Sequence, residues 1–256
     1  MHKVYFVGSG PGDPDLLTIK AKKLIQRAQT LVYSGSLLNP KILGYCKNAK
    51  LHDASKLVRE EIFDILKNNA LQGKFVVRLH DGDPSIYGAI REQMDNLKKI
   101  GIDSEVVPGV SSVLASAASL GTELTLPGVT QTIIITRPES RTAVPKRERI
   151  SELAKHRATM VFYLGVHLIA EIVREAIDGG YPLSTPAAVV YKASWEDEKI
   201  IKGTLKDIVD KTRKEKITRT AIVIIGEVIQ PKSYEYSRLY DKTFSHGFRK
   251  AKIKSQ

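Results

Sequence analysis

Two hydrophobic periods alternate through the first 120 residues, and this alternation restricts the chain's fold more than any other feature. The runs "KVYFVG", "TLVYS", "KFVVRL" and "SEVVPG" are short, apolar and rich in β-branched and aromatic residues, the pattern of buried strands. Between them, Leu17, Ala21, Leu24, Ile25 and Ala28 share one helical face, with Asp15 placed to cap and acidify its start. Val58, Ile62, Ile65 and Leu66 mark a second helix, and Ile86, Ile90, Met94 and Leu97 a third. A fourth is the small-residue stretch "VSSVLASAASLG". Repeated strand, loop and helix units of this length predict parallel strands with helices on both faces.

The composition turns to a connector at "TELTLPGV", Thr122 to Val129. Beyond it lie the strand patterns "QTIIIT", "ATMVFYL", "PAAVVYKA", "DEKIIKG" and "TAIVIIGEV", with helices around Ile150 to Lys155, Leu168 to Ile177 and Leu205 to Thr212. Two strands in close succession among three helices predict a mixed sheet. The expected architecture is α/β, with a parallel-sheet N-terminal domain at 1–121, a mixed-sheet C-terminal domain at 122–240 and a basic tail at 241–256.

The formal charge is +12, and the tail carries five Lys/Arg against one Asp, which leaves +8 on residues 1–240. Such a balance points to an acidic partner: nucleic acid, an anionic lipid surface or a polyanionic small molecule. The single cysteine, Cys46, excludes a disulfide framework. No apolar run approaches the roughly 20 residues of a membrane helix, and Met1-His2-Lys3 runs into a strand without a signal-peptide pattern. A cytoplasmic protein is expected.

Ligands of open α/β sheets bind beyond the carboxyl ends of the strands. Three loops fall there, "GSGPGDPD", "HDGDPS" and "PGVSS", and they are expected to line one crevice. The first is not a phosphate loop. Asp13 stands where the dinucleotide fingerprint needs its third glycine, Pro11 lacks a backbone donor, and no Gly-Lys-Ser/Thr is present. Asp81 and Asp83 suit Mg²⁺ or hydrogen bonds from hydroxyls and amines, while Asp13 and Asp83 equally suit helix capping. Ser111 and Ser112 open a helix and read as N-cap residues as readily as ligand contacts. The six histidines and Cys46 lack metal-ligand spacing, and no G-x-S-x-G elbow appears, so neither a metal site nor covalent catalysis is expected.

In order along the chain, "VGSGPGDPDLLT", "GDPSIYGA", "VVPGVSS", "VFYLG" and "RTAIVIIG" resemble the successive motifs of the tetrapyrrole methylases, the S-adenosylmethionine-dependent enzymes of corrin and sirohaem synthesis. The resemblance spans nearly the whole chain. It implies two α/β domains with the cofactor in a cleft between them, and a homodimer. On matching positions, the implied cofactor contacts are Pro11; Asp81, Gly82, Asp83 and Ile86; Ser111 and Ser112; Tyr163 and Leu164; Ala193; and Ala221. Within the family, "QTIIITRPESRTAVP" and "LYDKTFSHGFRK" are similar to the branch that methylates C11 of precorrin-4 or its cobalt form.

S-adenosylmethionine has a sulfonium and an ammonium and no phosphate, so a carboxylate-bearing glycine loop suits it where it would repel a nucleotide. The implied reaction needs orientation rather than a nucleophile, and no general base is assigned; His80 reads as structural. The acetates and propionates of a tetrapyrrole account for the basic body. Arg137 and Arg141 are candidates for bidentate carboxylate contacts, whereas Lys146, Arg147 and Arg149 read as surface residues. The expected partner is therefore an anionic tetrapyrrole, with neither nucleic acid nor membrane. Two other readings stay open: a superfamily methylase of ribosomal RNA or a translation factor, and a non-catalytic basic binding module.

Overall fold

A computed structural model describes residues 2–252; Met1 and, in the basic tail, Lys254 lie outside the described residues. The chain divides into two compact units, Met1–Ser119 with Val190–Ile200 and Leu120–Val189 with Ile201–Gln256.

The first unit is built on β1 (Lys3–Gly8), β2 (Thr30–Tyr33), β3 (Lys50–Asp53), β4 (Val76–His80) and β5 (Asp103–Val107), in the sheet order β3-β2-β4-β1-β5. Every pairing is parallel, with Val4 opposite Val76 on one side of β1 and Ser104 on the other. A parallel sheet must be covered on both faces. Val7, Leu31, Val77 and Leu79 pack with α1 (Ile19–Arg27) on one face, through Ala21, Leu24 and Ile25. Val4, Phe6, Val32 and Val76 pack on the other with Leu66 of α2 (Arg59–Leu71) and Leu97 of α3 (Ile90–Lys99). The small-residue helix α4 spans Ser112–Leu120.

Three local readings of the sequence need correction. Ile86 is not on the third helix: it lies in a turn, and α3 begins only at Ile90, after the left-handed Ala89. The sheet has a fifth strand, β3, whose sequence KLHD carries no apolar run because it lies at the sheet edge and is half exposed. Asp15 does not cap α1. It sits inside a 3₁₀ turn, Pro14–Leu16, and Thr18 caps the helix by accepting the Ala21 N–H at 3.1 Å.

The second unit carries β6 (Ile133–Thr136), α5 (Ile150–Ala154), β7 (Thr159–Phe162), α6 (Ile169–Asp178), β8 (Pro186–Tyr191), β9 (Lys199–Thr204), α7 (Ile208–Lys214) and β10 (Ala221–Ile225). The sheet order is β6-β7-β10-β8-β9. It is mixed, since β6 runs parallel to β7 and β10 antiparallel. Met160, Val161, Phe162, Ile172, Ile208 and Val223 are fully buried and form its core.

Candidate functional site

In the first sheet β4, β1 and β5 are neighbours, so the loops leaving their carboxyl ends emerge side by side. Three glycines let these loops touch. A Cβ on Gly109 would lie 2.1 Å from the Gly82 carbonyl oxygen, and one on Gly8 would lie 2.6 Å from the Gly109 nitrogen. No side chain fits at such separations, so glycine is required at both positions. Gly10 and Gly82 exchange backbone hydrogen bonds of 3.2 and 2.9 Å, and each has a left-handed φ, +74° and +58°.

Three donors of the first loop are already engaged. Ser9 N–H binds the His80 carbonyl at 2.7 Å, Gly10 N–H the Gly82 carbonyl, and Asp13 N–H the Ser194 hydroxyl at 3.0 Å. Pro11 has no N–H. Anion cradles of this kind work by aiming free backbone donors at the ligand. With three of its donors spent and a proline among its residues, this loop is poorly suited to act as one. Asp13 caps the Pro14–Leu16 turn, accepting the Asp15 N–H at 2.9 Å.

The two carboxyls flanking Gly82 are driven apart. Asp83 accepts the backbone N–H of Ser85 at 2.8 Å and that of Gly109 at 2.9 Å, and also the Ser85 hydroxyl. Burial works to raise its pKa, but these bonds more than offset that and hold it below the usual carboxylate range. Burial pushes the Asp81 carboxyl up, and its own backbone N–H and the Arg78 guanidinium pull it only part of the way back. Asp83 is therefore committed to structure, joining the second and third loops. Asp81 is the carboxyl whose desolvation a cationic ligand would relieve.

His80 ends β4 and is 3% exposed, ringed by Phe6 at a centroid distance of 6.0 Å. Burial and the neighbouring Arg78 cation push its pKa down to about 3. A base that weak is mismatched to proton abstraction near neutrality. Arg78 is itself buried, giving hydrogen bonds to the carbonyls of Val32 and Leu79, and burial lowers its pKa to about 10.

The other sequence-derived positions of this unit fall on the same edge. Ile86 follows Asp83, its N–H bonded to the Asp83 carbonyl, and Ser111 accepts the Val113 N–H at 3.1 Å at the start of α4. Ser112 is the first residue of α4. Pro11 and Ala193 are tied together by residues the sequence did not single out. Trp195 donates its indole N–H to the Pro11 carbonyl at 2.9 Å, and Asn39 binds the Gly12 carbonyl at 2.9 Å.

In the second unit the sheet gathers a second set. Because β6 and β7 are parallel, Arg137 and Tyr163 leave the sheet at one edge. The antiparallel register of β10, with Val223 opposite Phe162, brings the start of β10, at Ala221, toward that same edge. Arg137 spends its guanidinium on its own loop, donating to the carbonyls of Pro138, Thr142 and Ala143 at 3.3, 3.1 and 2.9 Å. Arg141 is exposed on this loop. A groove of about 240 Å³ beside Arg137 is lined also by Glu139, Glu148, Arg149 and Glu175, three carboxylates against two guanidiniums, so it is no receptor for a polyanion.

Non-glycine residues in the left-handed region mark these same places. They are Tyr87 and Ala89 in the second loop, Leu164, the pair Lys192 and Ser194 around Ala193, and Thr220 before Ala221. Each costs roughly 1–2 kcal/mol. Such strain concentrates where a backbone path matters to function. Among the described residues the remaining two, Arg157 and Lys216, follow helices, where this conformation is common.

The model of the tetrapyrrole (corrin/porphyrin) methylases matches residues 3–209. The cobalt-precorrin-4 C(11)-methyltransferase of Methanocaldococcus jannaschii is 57% identical over 250 residues, covering 97% of this chain and 96% of that protein. The X-ray structure of a cobalamin biosynthetic enzyme, cobalt precorrin-4 methyltransferase, has a TM-score of 0.87 at 43% identity, covering 90% of this chain and 97% of the other. Uroporphyrin-III C-methyltransferase from Thermus thermophilus, crystallised with S-adenyl homocysteine, has a TM-score of 0.76 at 31% identity, covering 91% and 96%. With its glycine-packed loops, its engaged backbone donors and a family match over most of its length, the chain belongs to the tetrapyrrole methylases.

Proposed function

We propose that this protein transfers the methyl group of S-adenosylmethionine to C11 of precorrin-4 or its cobalt form, in corrin synthesis. The observation that carries this reading is the 57% identity over nearly the full length to a C11 methyltransferase. The site chemistry supports it. A loop with most of its donors spent, beside a desolvated Asp81, fits a cationic, phosphate-free ligand.

S-adenosylmethionine, when bound, supplies an already activated methyl group. The residues that would hold it are Asp81, facing positive charge; Pro11, Gly82 and Ser111–Ser112, shaping the edge of the first sheet; and Ile86, Ala193, Leu164 and Ala221, offering apolar surface. Asp83 keeps the second and third loops in register, and Tyr163 fixes the exit of β7 with its N–H on the Thr136 carbonyl at 2.9 Å. Fixing the reacting atoms in line can lower a barrier by roughly 7–11 kcal/mol without a nucleophilic side chain. Arg141, exposed on the loop, is the better placed of the two loop arginines for a substrate carboxylate, while Arg137 shapes the loop that presents it.

We read the protein as a cytoplasmic homodimer, on the family resemblance; the exposed Tyr236, Tyr240 and Phe248 provide apolar surface for a second copy. Sedimentation velocity of the purified chain checks the dimer. The activity is checked with ¹³C-methyl-labelled S-adenosylmethionine offered together with precorrin-4, cobalt-precorrin-4 or ribosomal RNA. Label at C11 of a tetrapyrrole is expected, the better substrate settles the cobalt requirement, and label in RNA alone would refute the reading.

A further inference from the structure

The segment Val190–Ile200 is separated from the first unit by 70 residues of the second, yet it belongs to the first. Its fastening is specific. Glu198 accepts the Ser194 N–H at 2.6 Å and the Ser119 hydroxyl at 2.7 Å, which ties the segment to the end of α4. Ser194 in turn accepts the Asp13 N–H, and Lys41 pairs with Glu196.

Trp195 is the centre of this fastening. Its indole lies so close on Gly12 that a Cβ there would be 1.9 Å from Nε1, and its N–H meets the Pro11 carbonyl at 2.9 Å. The Lys192 ammonium stands over the ring, 4.7 Å from its centroid, and pairs with Asp197 at 2.6 Å. The residues before it, Lys192 and Ser194, hold left-handed φ of +48° and +70°, a path that an unanchored segment would not keep.

We propose that Trp195 is a positioning residue for the methyl donor: it locks the first loop, at Pro11 and Gly12, against the turn that presents Ala193, so that both reach the donor as one rigid surface. This rests on the methyltransferase reading above, in which Pro11 and Ala193 contact the donor. It adds a residue whose role is to hold those contacts rather than make them.

Trp195→Phe keeps an aromatic ring in the segment but removes the indole N–H together with the five-membered ring edge that lies on Gly12. We expect its Kd for S-adenosylhomocysteine, by calorimetry, and its KM for S-adenosylmethionine to rise about fivefold, the scale of one lost hydrogen bond. The KM for the tetrapyrrole should stay within about twofold, and the melting midpoint within about 4 °C. Should Trp195→Phe fold poorly, Ser194→Ala, which frees the Asp13 N–H, is expected to give the same donor-selective rise at smaller size. Trp195 is also the only tryptophan, so wild-type emission reports on this contact alone. A saturable change with the calorimetric midpoint is expected. An unchanged donor Kd in the variants, equal loss for both substrates, or constant emission through saturation each overturns the proposal. A wild-type protein that binds no S-adenosylhomocysteine overturns the methyltransferase reading itself, and this inference with it.

Discussion

The Asp83 carboxylate, from the loop after β4, accepts the Gly109 N–H, from the loop after β5, at 2.9 Å. One side chain thus sets the spacing of two of the three loops at the carboxyl edge. Asp83→Ala leaves that N–H and the Ser85 N–H without their acceptor, and a lost charge-assisted bond costs about 1.5–3 kcal/mol. Urea unfolding should show a loss of that order, with weaker donor binding alongside. Wild-type stability in this variant would show that the loops are set by glycine packing alone.

Asp81 should behave in the opposite sense. Because burial raises its pKa, ionised Asp81 opposes folding, and Asp81→Asn removes that penalty while keeping the shape. The expected result is a melting midpoint equal to or above wild type, together with a Kd for S-adenosylmethionine raised about tenfold or more. Unaltered affinity would take Asp81 out of the donor site.

A pH dependence follows from His80. Its folded pKa, pushed down to about 3, lies below the unfolded value of about 6.5, so between these limits the unfolded chain binds the extra proton. Stability therefore rises with pH from about 3 to 6.5 and is lost as pH falls, at up to ~1.4 kcal/mol per pH unit from this site. Unfolding free energies measured from pH 4 to 7 should lose about one proton of slope in His80→Gln. A parallel curve for the variant would assign the acid limb elsewhere.

The two arginines after β6 should separate. Arg137→Ala frees three loop carbonyls and should both destabilise the second unit by about 1–2 kcal/mol and weaken tetrapyrrole binding. Arg141→Ala should leave the melting midpoint within a degree or so and raise only the tetrapyrrole KM, since an exposed charge carries little stability. The comparison needs steady-state kinetics in both substrates and a thermal scan; a shared profile for the two variants counts against the division.

Glycine packing has its own signature. Gly109→Ala places a methyl group 2.1 Å from the Gly82 carbonyl oxygen, between two backbones that cannot yield, and should cost about 3 kcal/mol or more. Gly73→Ala, with nothing near but a φ of +75°, should cost about 1–2 kcal/mol from strain alone. Paired urea titrations check the ranking, which equal losses would contradict.

What the sequence reveals here is what short-range patterns encode. Strands β1 and β4 are buried on both faces, so they read as continuous apolar runs, and the glycine loops that follow them are visible at once. Strand β3 is polar because an edge needs no apolar run, and Thr18 was hidden as a cap by the 3₁₀ turn inserted before it. The contacts that fix the site are a different matter. Trp195 and Pro11 are 184 residues apart, and Asn39 and Gly12 27 apart, so no local period signals either pair. Arg137 shows the same limit: its charge is legible, but not that the guanidinium folds back on its own loop.

The return of Val190–Ile200 to the first unit also has a consequence for synthesis on the ribosome. All five strands of the first sheet have been made once Val107 is added, but the glycine loop still lacks its clamp, because Trp195 is encoded 76 residues after Ser119. At about 5–20 residues per second, roughly 4–15 s pass before that side chain emerges. Through that interval the nascent N-terminal half has its scaffold and an unfastened loop, until Trp195 arrives to close on Pro11 and Gly12.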